Sequence, residues 1–321
     1  MYLAHFGLEQ PPFRITPDTR VFYSGGNRGA VLEALAWAVV SGEGMVKVVG
    51  EVGSGKTMLC RMLAQHLPER IDVVYLVDPG LGAEEIVPAV AFELGLQPNA
   101  ADPMSTRQRL YETLVERHAA GRQVVVFIEE AQNMPLATLE ALRLLTNLET
   151  DDSKLLQLVL FGQPELDDKL NANEIRQLRE RITHAFELQP LVQRDVGEYL
   201  NFRLRAVGYR GPDLFDRRVA RALNRRARGL IRRLNLLADK TLLAAYAEGT
   251  HNLRRRHVYR AARDAGLARR SRFGRIAATA ACLGLVAWML LAIMGYGGIE
   301  PERLWQRGAG VVGLAVEETG S

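Results

Sequence analysis

The chain is poor in cysteine and in lysine. Cys60 and Cys282 are its two cysteines among 321 residues, one just after a glycine-rich loop and one in an apolar run. Two such distant thiols exclude a disulfide framework, and both read as small apolar packing residues. Five lysines stand against 36 arginines, so a lysine at a special position is not explained by bulk composition. The N-terminus lacks an apolar core of the length a leader needs: Pro11 and Pro12 interrupt it, and Glu9, Arg14, Asp18 and Arg20 charge it. No secretory leader is therefore expected. Internal repeats and low-complexity linkers are also absent from the sequence.

What is present is ordinary globular material, with 48% apolar and 24% charged residues. The length suggests about two domains. The net charge of +4 hides an asymmetry. Residues 1–200 carry 18 basic against 28 acidic side chains, residues 201–275 carry 21 against 5, and residues 276–321 carry 2 against 4. An acidic part followed by a strongly basic one points to nucleic acid, an anionic membrane face or phosphate-bearing ligands.

Strand-like runs at Met45–Val49, Asp72–Val77, Gln123–Ile128, Leu155–Phe161 and Ala185–Leu188 alternate with helical segments at Ala30–Val40, Lys56–His66, Ala83–Leu94, Ser105–Ala120 and Leu136–Leu148. That alternation predicts an α/β fold, a parallel sheet with helices on both sides. The unbroken apolar run QVVVFI predicts a strand buried on both faces. From about Arg194 the periodicity is helical, over Asp195–Val207, Asp213–Arg225, Leu230–Glu248 and Leu253–Asp264. The boundaries read as an α/β nucleotide-binding domain at 1–193 and a small all-α domain at 194–268.

Gly50-Glu51-Val52-Gly53-Ser54-Gly55-Lys56-Thr57 fits the phosphate-loop pattern GxxxxGK[ST] and lies between a predicted strand and a predicted helix, which Met58 continues. Glycines let successive backbone N–H groups face phosphate oxygens, and the helix N-terminus adds partial positive charge. Lys56 is expected on the β- and γ-phosphates and Thr57 on Mg²⁺. Glu129 and Glu130 follow the third strand. An acid there holds the metal and the next orients water, so Glu129 is assigned to Mg²⁺ and Glu130 to the attacking water. Asp is the usual metal residue, and the extra methylene of Glu129 bears on turnover rate. Gln163, after the fourth strand, is a candidate γ-phosphate contact, or else a turn residue in GQP. Arg176, Arg179 and Arg181 are expected on one helix, where one of them can reach the nucleotide of an adjacent subunit. Arg232 is expected to close over the nucleotide of its own subunit.

A late run, Ile276–Ile299, has no charge in 24 residues. Its dense part, Ile276–Met294, spans about 28 Å as a helix, close to the hydrocarbon thickness of about 30 Å. Arg269, Arg270, Arg272 and Arg275 precede it, and Glu300, Glu302, Arg303 and Arg307 follow. This predicts a basic juxtamembrane segment at 269–275, one transmembrane helix at 276–298 and a short periplasmic tail at 299–321, with the N-terminal mass cytoplasmic.

The opening MYLAHFGLEQPPFRITPDTRVFY, the loop GEVGSGKT, EEAQN, FGQPEL at 161–166 and GLIRRLNLLADKTLLAAY at 229–246 occur in one order. Together, over about residues 1–265, they resemble AAA+ ATPases of the general secretion pathway protein A (ExeA) type, including the MSHA-pilus ATPases. The resemblance implies a RecA-like AAA+ domain with a helical lid, ATP and Mg²⁺ as cofactors, a ring-like homo-oligomer, and work with an inner-membrane partner protein of an export apparatus. It also implies Gln163 as sensor one, Arg232 as sensor two and Arg181 as the arginine after the FGQPEL helix. Such proteins continue past the membrane into a peptidoglycan-binding domain, for which the twenty or so residues after the run are too few, so a partner is expected to supply that contact. Two alternatives stand beside this reading. One is a DNA-associated AAA+ protein, a transposition helper or loader, motivated by RRVARALNRRARGLIRR at 217–233; with no DNA-binding module visible, nucleic acid is not the expected partner. The other is a nucleotide-gated scaffold with little hydrolysis, motivated by Glu129.

Overall fold

The structure is a computed structural model. It describes residues 2–14, 16–99, 101–150 and 153–267, together with Val286 and Met289. Met1–Ala268 forms one compact unit and Arg269–Ser321 a second. The predicted juxtamembrane segment, transmembrane helix and tail therefore lie outside the described residues, Val286 and Met289 apart. Among the described residues no helix is long and apolar enough to cross a membrane.

The first unit begins with α1 (Tyr2–Phe6), α2 (Arg28–Val40), β1 (Met45–Gly50), α3 (Lys56–His66), β2 (Ile71–Leu76), α4 (Ile86–Glu93), α5 (Pro103–Ala119) and β3 (Gln123–Ile128). It continues with α6 (Leu136–Leu145), β4 (Leu156–Gly162), α7 (Glu165–Leu170), α8 (Arg176–Arg179) and β5 (Ile182–Leu188). The helical part is α9 (Gln193–Arg205), α10 (Arg217–Ala227), α11 (Ile231–Ala247) and α12 (Arg255–Asp264).

The strands form one parallel sheet in the order β2-β3-β4-β1-β5. Side-chain alternation divides its core between two faces. Val124, Val126 and Ile128 of β3 pack with α4, α5 and α6, whereas Val125 and Phe127 pack with α2 and α3. Every residue of QVVVFI after Gln123 is buried, as its unbroken apolar run requires. A third apolar cluster joins α9 to α12 and takes in Phe6, Leu8 and Phe13. The opening segment thus packs on the helical bundle, although its sequence position groups it with the sheet. Hydrogen bonds pin it there: Tyr2 Oη donates to Asp239, and Arg203 Nε donates to the Pro12 carbonyl at 2.9 Å.

Two local readings change. Arg176 and Arg179 lie on α8, but Arg181 stands in the turn before β5, because the helix ends after four residues. β5 begins at Ile182, three residues earlier than its apolar signal. It is an edge strand with Thr183, Ala185 and Glu187 exposed, and a strand buried on one side only carries a weak apolar pattern. In the helical part, Asp216 marks the start of α10 by accepting from the Val219 N–H at 2.7 Å.

Candidate nucleotide site

Strand order brings the predicted phosphate loop, Glu129, Glu130 and Gln163 to one edge of the sheet. In a parallel sheet the loops at the carboxyl ends of neighbouring strands share one edge, and ligands bind there. The glycine-rich loop leaves β1, Gln163 leaves β4, and Glu129 and Glu130 leave β3, with β4 between the other two. A cavity of about 340 Å³ opens at this edge. Val52, Gly53, Gly55, Lys56, Thr57, Met58, Glu130 and Arg232 line it.

The loop is shaped by what a side chain would strike. A Cβ on Gly50 would meet Ser54 Oγ at 2.7 Å and Leu188 Cβ at 3.0 Å. Gly53 and Gly55 take φ of 79° and 109°, open to glycine at little cost. A Cβ on Gly53 would also stand 2.6 Å from Arg232 Cβ. The approach is close because the Arg232 N–H, in the first turn of α11, donates to the Gly53 carbonyl at 3.1 Å. The helical bundle therefore touches the phosphate loop through backbone.

Lys56 is 7% exposed and folds back on its own loop, donating to the Gly50 carbonyl at 2.7 Å and the Glu51 carbonyl at 3.4 Å. Burial lowers its pKa, and the carboxylates of Glu130, Glu165, Glu51 and Glu129 partly offset this. Ser54 Oγ is buried without a partner. Beneath the loop lies Arg28, 3% exposed, which donates through Nη2 to the Ser54 carbonyl at 3.0 Å and the Gln189 carbonyl at 3.2 Å. Its Nε and Nη1 are buried without partners, and burial lowers its pKa.

Glu130 adopts φ 52°, ψ 36°, a left-handed conformation rare outside glycine. Its Oε2 accepts from Gln132 Nε2 at 2.6 Å and from Gln163 Nε2 at 3.0 Å. The Gln163 N–H donates to Gln132 Oε1 at 2.9 Å and closes the triangle. Burial pushes the Glu130 carboxyl up, but the two amide hydrogen bonds and the Lys56 charge outweigh it, so its pKa is lowered. Glu129, one residue earlier, is close enough to Cys60 and Tyr75 to push both pKa values up, after burial and, for Tyr75, Cys60 itself. Among the described residues no group of three or more His, Cys, Asp or Glu could hold a metal unaided. Of the two residues expected to hold a metal, Thr57 lines the cavity and Glu129 does not; a hydroxyl and a carboxylate are oxygen donors of the kind a hard cation takes beside phosphate and water.

The three candidate arginines lie off this cavity. Arg176 pairs with Glu180 at 2.9 Å, Arg179 Nη1 donates to Asn171 Oδ1 at 2.9 Å, and Arg181 Nη1 donates to Thr146 Oγ1 at 2.7 Å.

Three parts of the site are missing from the motif reading: Gln132, which bonds Glu130 and Gln163, and Arg28 and the segment Val21-Phe22-Tyr23, which line the cavity. Gln132 lies within EEAQN but has no fixed role in the loop-and-strand pattern. Arg28 is one exposed-looking arginine among 36 in the sequence. The segment Val21-Phe22-Tyr23 lines the cavity together with Tyr199 and Asn235. There Tyr23 stands edge-on to Tyr199 at 5.4 Å, and Tyr199 Oη donates to Asn235 Oδ1 at 2.5 Å. The FRITPDTRVFY opening was the available signal, since it combines turn residues with aromatics.

Residues 39–170 match the family model described as an AAA domain. General secretion pathway protein A of Aeromonas hydrophila is 40% identical over 258 residues, which are 79% of this chain and 46% of that protein. The chain thus spans about half the length of this curated relative. Among solved structures, Cdc6p from Pyrobaculum aerophilum is similar with a TM-score of 0.58 at 16% identity, covering 77% of this chain and 71% of that one. The Thermotoga maritima RuvB Holliday junction branch migration motor is similar with a TM-score of 0.51 at 17% identity, covering 77% and 73%. At such identities these two show the fold alone: a P-loop AAA+ sheet with helices. Motifs, fold and the 40% relative agree, and the chain belongs to the AAA+ ATPases of the general secretion pathway protein A type.

Proposed function

We propose that the chain hydrolyses ATP to assist assembly or operation of an export apparatus, of secretin or pilus type, at the bacterial inner membrane. The observation that carries hydrolysis is the clamped Glu130. A carboxylate held by two amides and electrostatically coupled to a buried lysine supports a role in orienting water toward a phosphate in the loop. In this reading Gly50 to Met58 wrap the phosphates, and Lys56 leaves its loop carbonyls for the β- and γ-oxygens. Thr57 and Glu129 hold Mg²⁺, which supplies charge neutralisation on the phosphate oxygens when bound. Gln163 ties the γ-phosphate position to Glu130, and Arg232 reports it to the helical bundle, which acts as a lid. Arg181, or Arg179, acts on the nucleotide of a neighbouring copy in a ring, which agrees with both lying off their own cavity.

Membrane attachment is proposed from the uncharged run 276–298 and its arginine flank. In this reading a sheet domain runs to residue 193, a lid to 268 and one span over 276–298, with the residues after it periplasmic and the ATPase part cytoplasmic. Lys56→Ala is expected to abolish ATP binding by titration calorimetry, and unchanged affinity would refute the site. A reporter fused after Ser321 is expected to behave as periplasmic, and cytoplasmic behaviour would overturn the topology.

A further inference from the structure

Most of the arginine surplus of the helical bundle takes no part in the nucleotide cavity. α10 carries Arg217, Arg218, Arg221, Arg225 and Arg226 in eleven residues and no carboxylate. Its buried side is Val219, Ala220, Ala222, Leu223 and Ala227, which leaves Arg217, Arg218, Arg221 and Arg225 exposed on the other. α12 repeats the pattern, with Arg255 and Arg260 outside and Val258, Ala261 and Ala262 inside. The two faces meet where the Arg226 guanidinium lies 5.3 Å from the ring centroid of Tyr259, itself 46% exposed.

The carboxylates nearby are engaged elsewhere. Asp213 pairs with Arg205, Asp216 caps α10, and Glu248 pairs with Arg256 and His257. Among the described residues Arg217, Arg218, Arg221, Arg225, Arg255 and Arg260 form no ion pair, and none lines the cavity. Like charges four apart on a helix repel, so Arg217, Arg221 and Arg225 are held together against their own field.

We infer that this two-helix arginine face docks on the phosphate headgroups of an anionic phospholipid surface. Arginine forks match phosphate oxygens, and an exposed tyrosine suits the headgroup layer. The sequence supplies the reason for lipid over nucleic acid. Eleven residues after α12, four of them arginine, the chain enters its 24-residue uncharged run. The inference rests on the membrane reading above for the nearness of lipid, though not for the charge of the face.

The test uses the full chain with Cys282→Ser and a dye on Arg218→Cys, reconstituted in phosphatidylcholine vesicles with and without phosphatidylglycerol and carrying a headgroup nitroxide quencher. Each arginine at an anionic surface is worth about fivefold in partition. Arg217→Gln, Arg221→Gln, Arg225→Gln and Arg260→Gln together are therefore expected to weaken docking by about a hundredfold or more, with ATP affinity unchanged. Quenching is expected only with phosphatidylglycerol, and is expected to vanish in high salt and in that variant. Equal quenching in neutral vesicles, or none in anionic ones, would overturn the docking. So would short duplex DNA that binds the same face more tightly than the vesicles do. Alkaline washing separates the two readings: a chain that resists it without quenching keeps its anchor and loses the docking, and a chain stripped by it that still shows phosphatidylglycerol-dependent quenching keeps the docking and loses the anchor.

Discussion

Glu130 is held in a backbone conformation that costs on the order of 1–3 kcal/mol outside glycine. The amides of Gln132 and Gln163 aim its carboxylate from that position and keep it ionised. The sign of the pH effect follows. On the proposed function the working form is deprotonated, and the lowered pKa keeps it so as pH falls through the ordinary carboxylate range. With Gln132→Leu and Gln163→Leu, burial, the largest influence and one that raises the pKa, acts with less opposition. The acid limb of the turnover profile is then expected to move to higher pH than in the wild type. A limb that stays in place in both variants would show that the amides do not set the ionisation of Glu130. The motif pattern made Glu130 and Gln163 legible as separate residues. That Gln163 and Gln132 both donate to one oxygen of Glu130 was not legible, because it depends on β4 lying beside β3 and on the turn that brings Gln132 back.

Among the elements, the join between the phosphate loop and α11 matters most for coupling. It consists of one backbone hydrogen bond and one glycine without room for a methyl group. Gly53→Ala meets two obstacles, the positive φ and the Arg232 side chain 2.6 Å from the new Cβ. It is expected to weaken ATP binding about tenfold or more by forcing the loop and α11 apart, roughly the effect of 1.4 kcal/mol. Calorimetric affinity within twofold of wild type would remove the join from the account. The buried elements β1 and β3 and the helix α3 were readable to within a residue, since continuous apolar runs and a glycine loop leave few alternatives. The edge strand β5 and the four-residue α8 were not, for their patterns are short and half exposed. The boundary at residue 193 groups the opening segment with the sheet, and nothing local to it says that Phe6, Leu8 and Phe13 belong to the bundle core.

For the whole molecule, the charge asymmetry resolves into separate duties. The acidic part holds the sheet whose strand ends carry Glu129 and Glu130. The basic part gives Arg203 and Arg232 to the cavity and turns most of its other arginines outward. A helical bundle that touches the phosphate loop on one side and presents positive charge on another is suited, in the proposed function, to pass a change at the nucleotide to whatever surface it rests on. That chain of events begins with hydrolysis, so hydrolysis is the point at which the account is most exposed. The direct measurement is steady-state phosphate release at saturating ATP by wild type and Glu130→Gln, with ATP affinity measured for both. Removing a group that handles the attacking water is worth roughly 10²–10⁴ in rate. The variant is expected to bind ATP as wild type does and to turn over at least about a hundredfold more slowly. Equal, near-background rates for the two proteins would contradict the account and leave a nucleotide-gated scaffold in its place.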